Sequence, residues 1–428
     1  MPRIEIIENE DISLAAFDAT ENTVLIPILY CRNVSEGVYT EYADGNIPGR
    51  KYESASDLKN DYLSKVVTVG SNQDRSYVMA YELLLMGLNV VIKPIAYDNI
   101  TLGQSITLDK AYEILEEAYA NNILAEFENK NLYNIKFITS GGYSNCGQAY
   151  FVGTERRETA GFAALRTLAE HRGDAVALAE FKEELIDDAD VISAVGKYSA
   201  AGESDNFVSA VLPWIDCYTT ARTNSAREPV TMPASFGYLM AFGNSVKTNA
   251  NWFATAGVQR GWIPNMIKPR YDIGEALMHI LQGDTDDTST ALDICVNPIY
   301  NAGSYGFRIW GNRVANKSDM IEDRFLNFLN VRILLCDLRK QLYHSAMRVT
   351  FEPNDDIVWI NYKTLNNPLL ERMKSGRGIR FYKWIKEPTT KKATIQCSLV
   401  IRPIEALEDI KVNIVLTDEE ALINEQQV

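Results

Sequence analysis

Histidine is almost missing from this chain: there are three in 428 residues, His171, His279 and His344, none with a companion ligand motif. A histidine general base or a His-based metal centre therefore has little to be built from. The six cysteines (Cys31, Cys146, Cys217, Cys295, Cys336 and Cys397) include no CxxC pair. Most lie in apolar stretches, where a thiol acts as a small hydrophobe, so free thiols are expected rather than a zinc site or disulfide frame. No apolar run reaches the roughly 18 to 20 residues that a membrane helix needs. Met1-Pro2-Arg3-Ile4-Glu5 lacks the basic start and apolar segment of a secretory signal, so the expectation is a protein that stays where it is made. GxSxG and HExxH do not occur either.

What is present is the composition of a folded, soluble protein, 46% hydrophobic and 23% charged, long enough for two or three packed units. Net charge is −15 and unevenly spread: +9 over 301–402, −6 over 403–428 and −18 over 1–300. So acidic a body disfavours nucleic acid as the main partner. The basic segment within it suggests local contact with something acidic.

Strands and helices alternate along most of the chain. Strands are expected over 23–30, 88–95, 135–139, 175–178 and 207–213. Helices are expected from Ser54 (with Ser56 as cap), over 76–86 to a stop at Gly87, and over 108–128, 156–171, 180–185 and 232–246. This order predicts a layered α/β unit with a largely parallel sheet. A long helix is expected over 318–349, with Ile321, Phe325, Phe328, Leu335, Leu338 and Leu342 on one face. Asn354 then caps a second helix, and Asn367-Pro368 restarts it. Gly376 and Gly378 stop it, and strands over 379–385, 394–401 and 410–416 close an α+β unit. The fold class is thus multidomain, α/β and α+β. Its expected parts are an N-terminal arm (1–20), a first unit (21–100), an α/β middle domain (101–302), a C-terminal α+β domain (303–417) and an acidic tail (418–428).

Few motifs carry chemistry. Ser140-Gly141-Gly142-Tyr143 follows a strand, where a phosphate loop would sit, but matches neither GxGxxG nor a loop ending in GK[ST]. A tight turn is expected, with a nucleotide-using α/β enzyme as the alternative of a different class. Arg172-Gly173-Asp174 reads as a helix stop rather than an adhesion tripeptide. No catalytic residue, cofactor or metal is expected. The basic residues are more informative. Arg332 and Arg339 share a helix face, and Lys363, Arg372, Lys374 and Arg377 follow; together they form a candidate docking face for an acidic partner. Alternating segments at the two ends, with Ile4 and Ile6 in one and Ile410, Val412 and Ile414 in the other, are candidate strands for joining subunits. An unpaired strand offers backbone donors and acceptors to a neighbour's sheet.

The order Trp310-Gly311, Asn330-Val331-Arg332, Phe351-Glu352-Pro353-Asn354-Asp355 with Trp359, then Pro403-Ile404-Glu405 resembles the contractile phage tail sheath family. Weaker likenesses lie at 54–63, 90–94, 171–178, Pro213-Trp214 and 254–257. The segment 361–377 is shorter and more polar than that family's pattern. The resemblance implies a structural subunit of a bacteriophage tail that polymerises as a helical cylinder of stacked hexameric rings around a tail tube. Its contraction would drive the tube through the host envelope, without a cofactor. Implied partners are neighbouring copies joined by the terminal arms, the tube protein, and baseplate and tail terminator proteins at the ends; no nucleic acid or membrane is implied. The C-terminal domain would face the tube, and the middle domain would face outward. The implied location is the virion, after assembly in the host cytoplasm. A sheath of a related injection system or tailocin is the near alternative.

Overall fold

The computed structural model describes residues 18–31, 47–62, 66–70, 72–97, 105–143, 149–152, 155–158, 161–200, 206–220, 229–283, 292, 294–316, 325–389, 394–404 and 406. Its centre is an eight-stranded sheet. In chain order the strands are β1 (Thr23–Cys31), β2 (Arg50–Tyr52), β3 (Asn89–Tyr97), β4 (Phe137–Ile138), β5 (Val176–Ala179), β6 (Val208–Leu212), β7 (Val296–Asn301) and β8 (Phe307–Ile309). In space the order is β8-β7-β6-β5-β4-β1-β3-β2. The six inner strands are parallel, and the two edge strands are antiparallel to their neighbours.

Both faces of the sheet are covered, and β1 shows the consequence for sequence. Val24, Ile26 and Ile28 enter the core on one side, and Leu25 and Leu29 enter it on the other. A strand buried on both faces has to be apolar throughout. The helices are α1 (Ala55–Tyr62), α2 (Arg75–Met86), α3 (Leu108–Ala120), α4 (Gly161–Arg172), α5 (Asp188–Ala200), α6 (Ala234–Val246), α7 (Gly257–Arg260), α8 (Glu275–Gln282), α9 (Leu329–Val349) and α10 (Asp356–Ser375). Residues of α3, α4, α5 and α8 pack on one face of the sheet, and residues of α1, α2, α6 and α9 pack on the other. Among the described residues, no helix is long and apolar enough to cross a membrane.

The boundaries expected near 100 and 302 do not coincide with breaks in packing. β1 pairs with β3, before the first boundary, and with β4, after it. β7 pairs with β8 across the second. One core therefore holds residues from three of the expected parts.

Helix α9 joins this core to the C-terminal unit. Leu329, Ile333 and Cys336 pack on the sheet side, and Leu334 and Leu338 pack against Leu369, Leu370 and Met373 of α10. It starts at Leu329 after a 3₁₀ turn at Phe325–Asn327; the part of the expected helix over 318–324 lies outside the described residues. Asp355 rather than Asn354 caps α10, accepting from the Ile357 and Val358 amides at 2.9 and 3.0 Å. Pro368 lies inside α10 and does not divide it. The missing amide and ring clash cost about 3 kcal/mol. The buried positions Trp359, Asn366, Leu370 and Met373 nevertheless recur at one-face spacing through the proline, and that packing outweighs the cost. The 180–185 helix is replaced by an irregular link, pinned by buried Phe181 and Leu185.

Candidate assembly surface

The sequence offers two places where function could reside: the Ser140-Gly141-Gly142 turn and the C-terminal unit with its arms. The turn lies beyond the end of β4, beside the point where strand order changes direction around β1. In open parallel sheets, ligands bind in such a crevice. Here the chain's own residues occupy it. A Cβ on Gly141 would lie 2.8 Å from the Ser76 Cα, and one on Gly142 would lie 2.7 Å from the Arg75 side chain, both at the start of α2. The Gly142 amide donates to the Glu180 carboxylate at 3.0 Å, as do the hydroxyls of Ser140 and Thr139 and that of Ser235. Burial raises the Glu180 pKa despite these donors. Asp74, also raised by burial, takes the Tyr143 hydroxyl at 2.6 Å and the Ser76 hydroxyl. The Arg75 guanidinium stacks over Tyr143 and Trp214. A phosphate would meet two buried carboxyl groups in a filled crevice, so the turn is a packing device. Arg172-Gly173-Asp174 is likewise structural: Arg172 Nε pairs with Asp174 at 2.9 Å, and both side chains are buried.

The C-terminal unit is more open. β9 (Ile379–Glu387) and β10 (Gln396–Pro403) form an antiparallel hairpin in register Tyr382↔Ile401 and Trp384↔Leu399. One face of the hairpin packs on α10. Trp384 meets Trp359 edge-on at 5.8 Å and Tyr362 at 5.8 Å, and its indole N–H donates to Asn367 Oδ1 at 3.1 Å. Aromatic pairs of this geometry add about 0.5–1.5 kcal/mol beyond area burial. The buried Trp359 is thus the clasp between hairpin and helix. The other face exposes Phe381, Ile385 and Val400. Among the described residues no third strand joins β9 or β10, which leaves the outer backbone edge of each without a ladder partner.

The roots of both arms lie beside this hairpin. Ala19 is buried in the same cluster as Ile379, Leu334 and Trp252. The Thr20 carbonyl accepts from Asn251 Nδ2 at 2.6 Å and Lys136 Nζ at 3.1 Å, and Arg372 reaches the Thr20 hydroxyl at 3.2 Å. At the other end, Pro403 pairs with Ile379, and the Ile404 amide donates to the Gly378 carbonyl at 3.0 Å. The arm residues Ile4, Ile6, Ile410, Val412 and Ile414, and the tail 418–428, lie outside the described residues. Nothing in the sequence around Ala19 announced its anchorage; the nearest signal was the polar run that follows it, which supplies the accepting carbonyls.

The basic candidates divide. Arg332 is only 3% exposed and cannot serve as a surface docking charge. Its guanidinium lies 4.7 Å from the Phe207 ring and donates to the Leu326 carbonyl at 3.3 Å, and burial lowers its pKa. Arg339 shares that helix face and the Phe207 ring but is exposed, donating to the Gly173 carbonyl at 2.8 Å. Lys363 is half-buried over Trp359, while Arg372, Lys374 and Arg377 are exposed. Phe351 protrudes completely from the turn between α9 and α10 at φ 72°, beside exposed Glu352, Pro353 and Asn354. Trp310 and Gly311 line a cavity beside Trp252.

No protein-family model matches this sequence, and no curated protein is significantly similar to it. Solved structures do match in three dimensions. A chain of the sheath complex of an extracellular contractile injection system, PVC, in its contracted state superposes with a TM-score of 0.61 at 12% identity, over 98% of each chain. A chain of the anti-feeding prophage baseplate superposes with a TM-score of 0.62 at 14% identity, over 97% of this chain and 99% of that one. The chain has the fold of a contractile-sheath subunit.

Proposed function

We propose that this chain is a structural, non-enzymatic subunit of a contractile sheath that joins its copies by strand exchange. The observation that carries the reading is the β9–β10 hairpin, whose two outer edges lack partners among the described residues while both terminal arms are rooted beside it. A strand from a neighbour can satisfy each edge with backbone hydrogen bonds, and the apolar outer face supplies side-chain contact. Ile4 and Ile6 of one arm, and Ile410, Val412 and Ile414 of the other, are the proposed donors. Rooting both arms in one small core would let a pull on a neighbour pass through α9 and α10 without opening the main sheet.

The proposed tube-facing charges are Arg339, Lys363, Arg372, Lys374 and Arg377. Exposed pairs contribute about 0–1 kcal/mol each, which suits a grip that must slide when the sheath shortens. The proposed particle is a bacteriophage tail built of stacked hexameric rings, with tube, baseplate and terminator as further partners and genome ejection as its task. The likeness to chains of PVC and the anti-feeding prophage favours a second reading, the sheath of an injection particle. Capsids attached to purified particles would select the first reading, and capsid-free particles the second.

Negative-stain microscopy of the purified protein tests the central claim. Striated tubes or rings are expected, and persistent monomers at high concentration would overturn it. Deleting residues 1–8 should abolish long tubes while leaving the subunit folded by circular dichroism. Unchanged polymerisation would remove the N-terminal arm from the scheme.

A further inference from the structure

A cavity of about 490 Å³ opens beside the root of the C-terminal arm. Trp252 and Trp310 give it aromatic walls, and Gly311, Ile404 and Ala406 also line it. Arg260 and Arg377 also line it, and among the described residues no acidic side chain does. Arg260 is held by Nε, which donates to the Ala254 carbonyl at 2.9 Å, while its guanidinium stacks on Phe253 at 5.4 Å. Arg377, at φ 61°, ends the turn after α10. The cavity therefore sets two guanidinium groups among neutral polar side chains (Gln259, Gln282, Asn312 and Asn330) and two indoles, the chemistry that receives a carboxylate-bearing peptide.

The chain itself carries such a peptide close by. Residues 407–428 hold six acidic residues and one lysine, with the densest run at Asp418-Glu419-Glu420. Asp418 lies twelve positions beyond Ala406. Twelve residues, fully extended, reach about 40 Å, which bounds the distance that the tether can span. A tether this short gives an effective concentration in the millimolar range, enough to fill a weak site within one molecule.

We propose that the cavity is a socket for the acidic run Asp418-Glu419-Glu420 of the same chain, which folds back to pair with Arg260 and Arg377 between Trp252 and Trp310. The seating needs no assumption about assembly. Its consequence does rest on the sheath reading: a seated tail holds residues 409–417 against their own subunit until a neighbour's hairpin competes for them. Such a latch has to be weak and salt-sensitive, as partly exposed ion pairs are.

The test is fluorescence anisotropy with a labelled peptide of residues 414–425. A chain ending at Thr417 should bind the peptide, and the full chain at least tenfold less tightly because its socket is filled. Raising salt from about 50 to 500 mM should weaken binding to the shortened chain. In that chain, R260E with R377E should abolish binding, and the milder R260Q with R377Q should weaken it. K374E, outside the socket, should leave binding unchanged. Equal affinity for the full and shortened chains, unchanged affinity in the Arg260 and Arg377 variants, or displacement of the peptide by micromolar ATP would each overturn the proposal. Tubes could still form in any of these cases, so failure of the latch and failure of the sheath reading are separable.

Discussion

Lys136, just before β4, and Asp337 on α9 form an ion pair of 2.9 Å with neither side chain exposed to solvent. The lysine also donates to the Thr20 carbonyl and to Asn22 Oδ1 at 2.9 Å, so one ammonium ties sheet, long helix and N-terminal root together. Removing one member leaves a buried charge uncompensated, which costs about 3–5 kcal/mol, whereas replacing both by apolar groups of similar volume is often near neutral. D337A should therefore lower urea stability by that amount, and K136M with D337L should recover most of it. A loss below about 1 kcal/mol in D337A would mean that the pair is not what fastens α9 to the sheet.

Lys340 lies one turn further along α9, and its ammonium has no hydrogen-bond partner among the described residues. Burial pushes its pKa down to about 8, against opposing attraction from Asp337 and Asp174 and added repulsion from Lys136. Below pH 8 both folded and unfolded chains hold the proton, and the buried charge costs its full amount. From about 8 to 10.5 the unfolded chain holds the proton while the folded one releases it, so this penalty fades as pH rises. K340M should stabilise the protein by about 3 kcal/mol at pH 7, since lowering a pKa by one corresponds to about 1.4 kcal/mol against the charged form. That advantage should shrink steadily toward pH 10. Denaturant curves of both proteins at four pH values measure it, and a pH-independent difference would assign the effect to packing instead.

The filled crevice at the sheet's switch point gives a third test. Gly141 holds φ 70° with Ser76 against its missing side chain. G141A should cost about 1–3 kcal/mol in stability, the usual range for forcing a side chain into a closed left-handed position. ATP at millimolar concentration should leave the melting temperature of the parent protein unchanged. A nucleotide-dependent rise that disappears in G141A would restore the enzyme reading.

The layered sheet was legible because burial on two faces demands apolar runs, and β1, β3 and β6 supply them. Gly87 was legible as a helix stop because its left-handed φ of 93° is a local requirement of the chain end. What escaped was set by contacts distant in sequence. Asn22 meets Asn251 across 229 positions, and neither segment has a pattern that names the other. Pro368 carries a local signal for a break, and only the partner helix α9 overrides it. The hairpin was legible as strands, but that its outer edges lack partners among the described residues could be seen only once the sheet was laid out.

Arg332 was the clearest misreading of the site, and it separates two roles that charge alone cannot. Its spacing of seven from Arg339 is real, and both guanidinium groups meet Phe207. Yet one of the pair is buried and the other is exposed. R332E places an unpaired carboxylate where the Leu326 carbonyl and an aromatic ring now accept a cation, so it should cost several kcal/mol and leave little folded protein. K374E changes an exposed side chain and should alter stability by less than about 0.5 kcal/mol. If the exposed basic residues grip an acidic tube, K374E with R372E should reduce co-sedimentation with tube protein most at low salt, while self-assembly without tube continues. Loss of self-assembly in that double variant, with tube binding intact, would place these charges between sheath copies rather than against the tube.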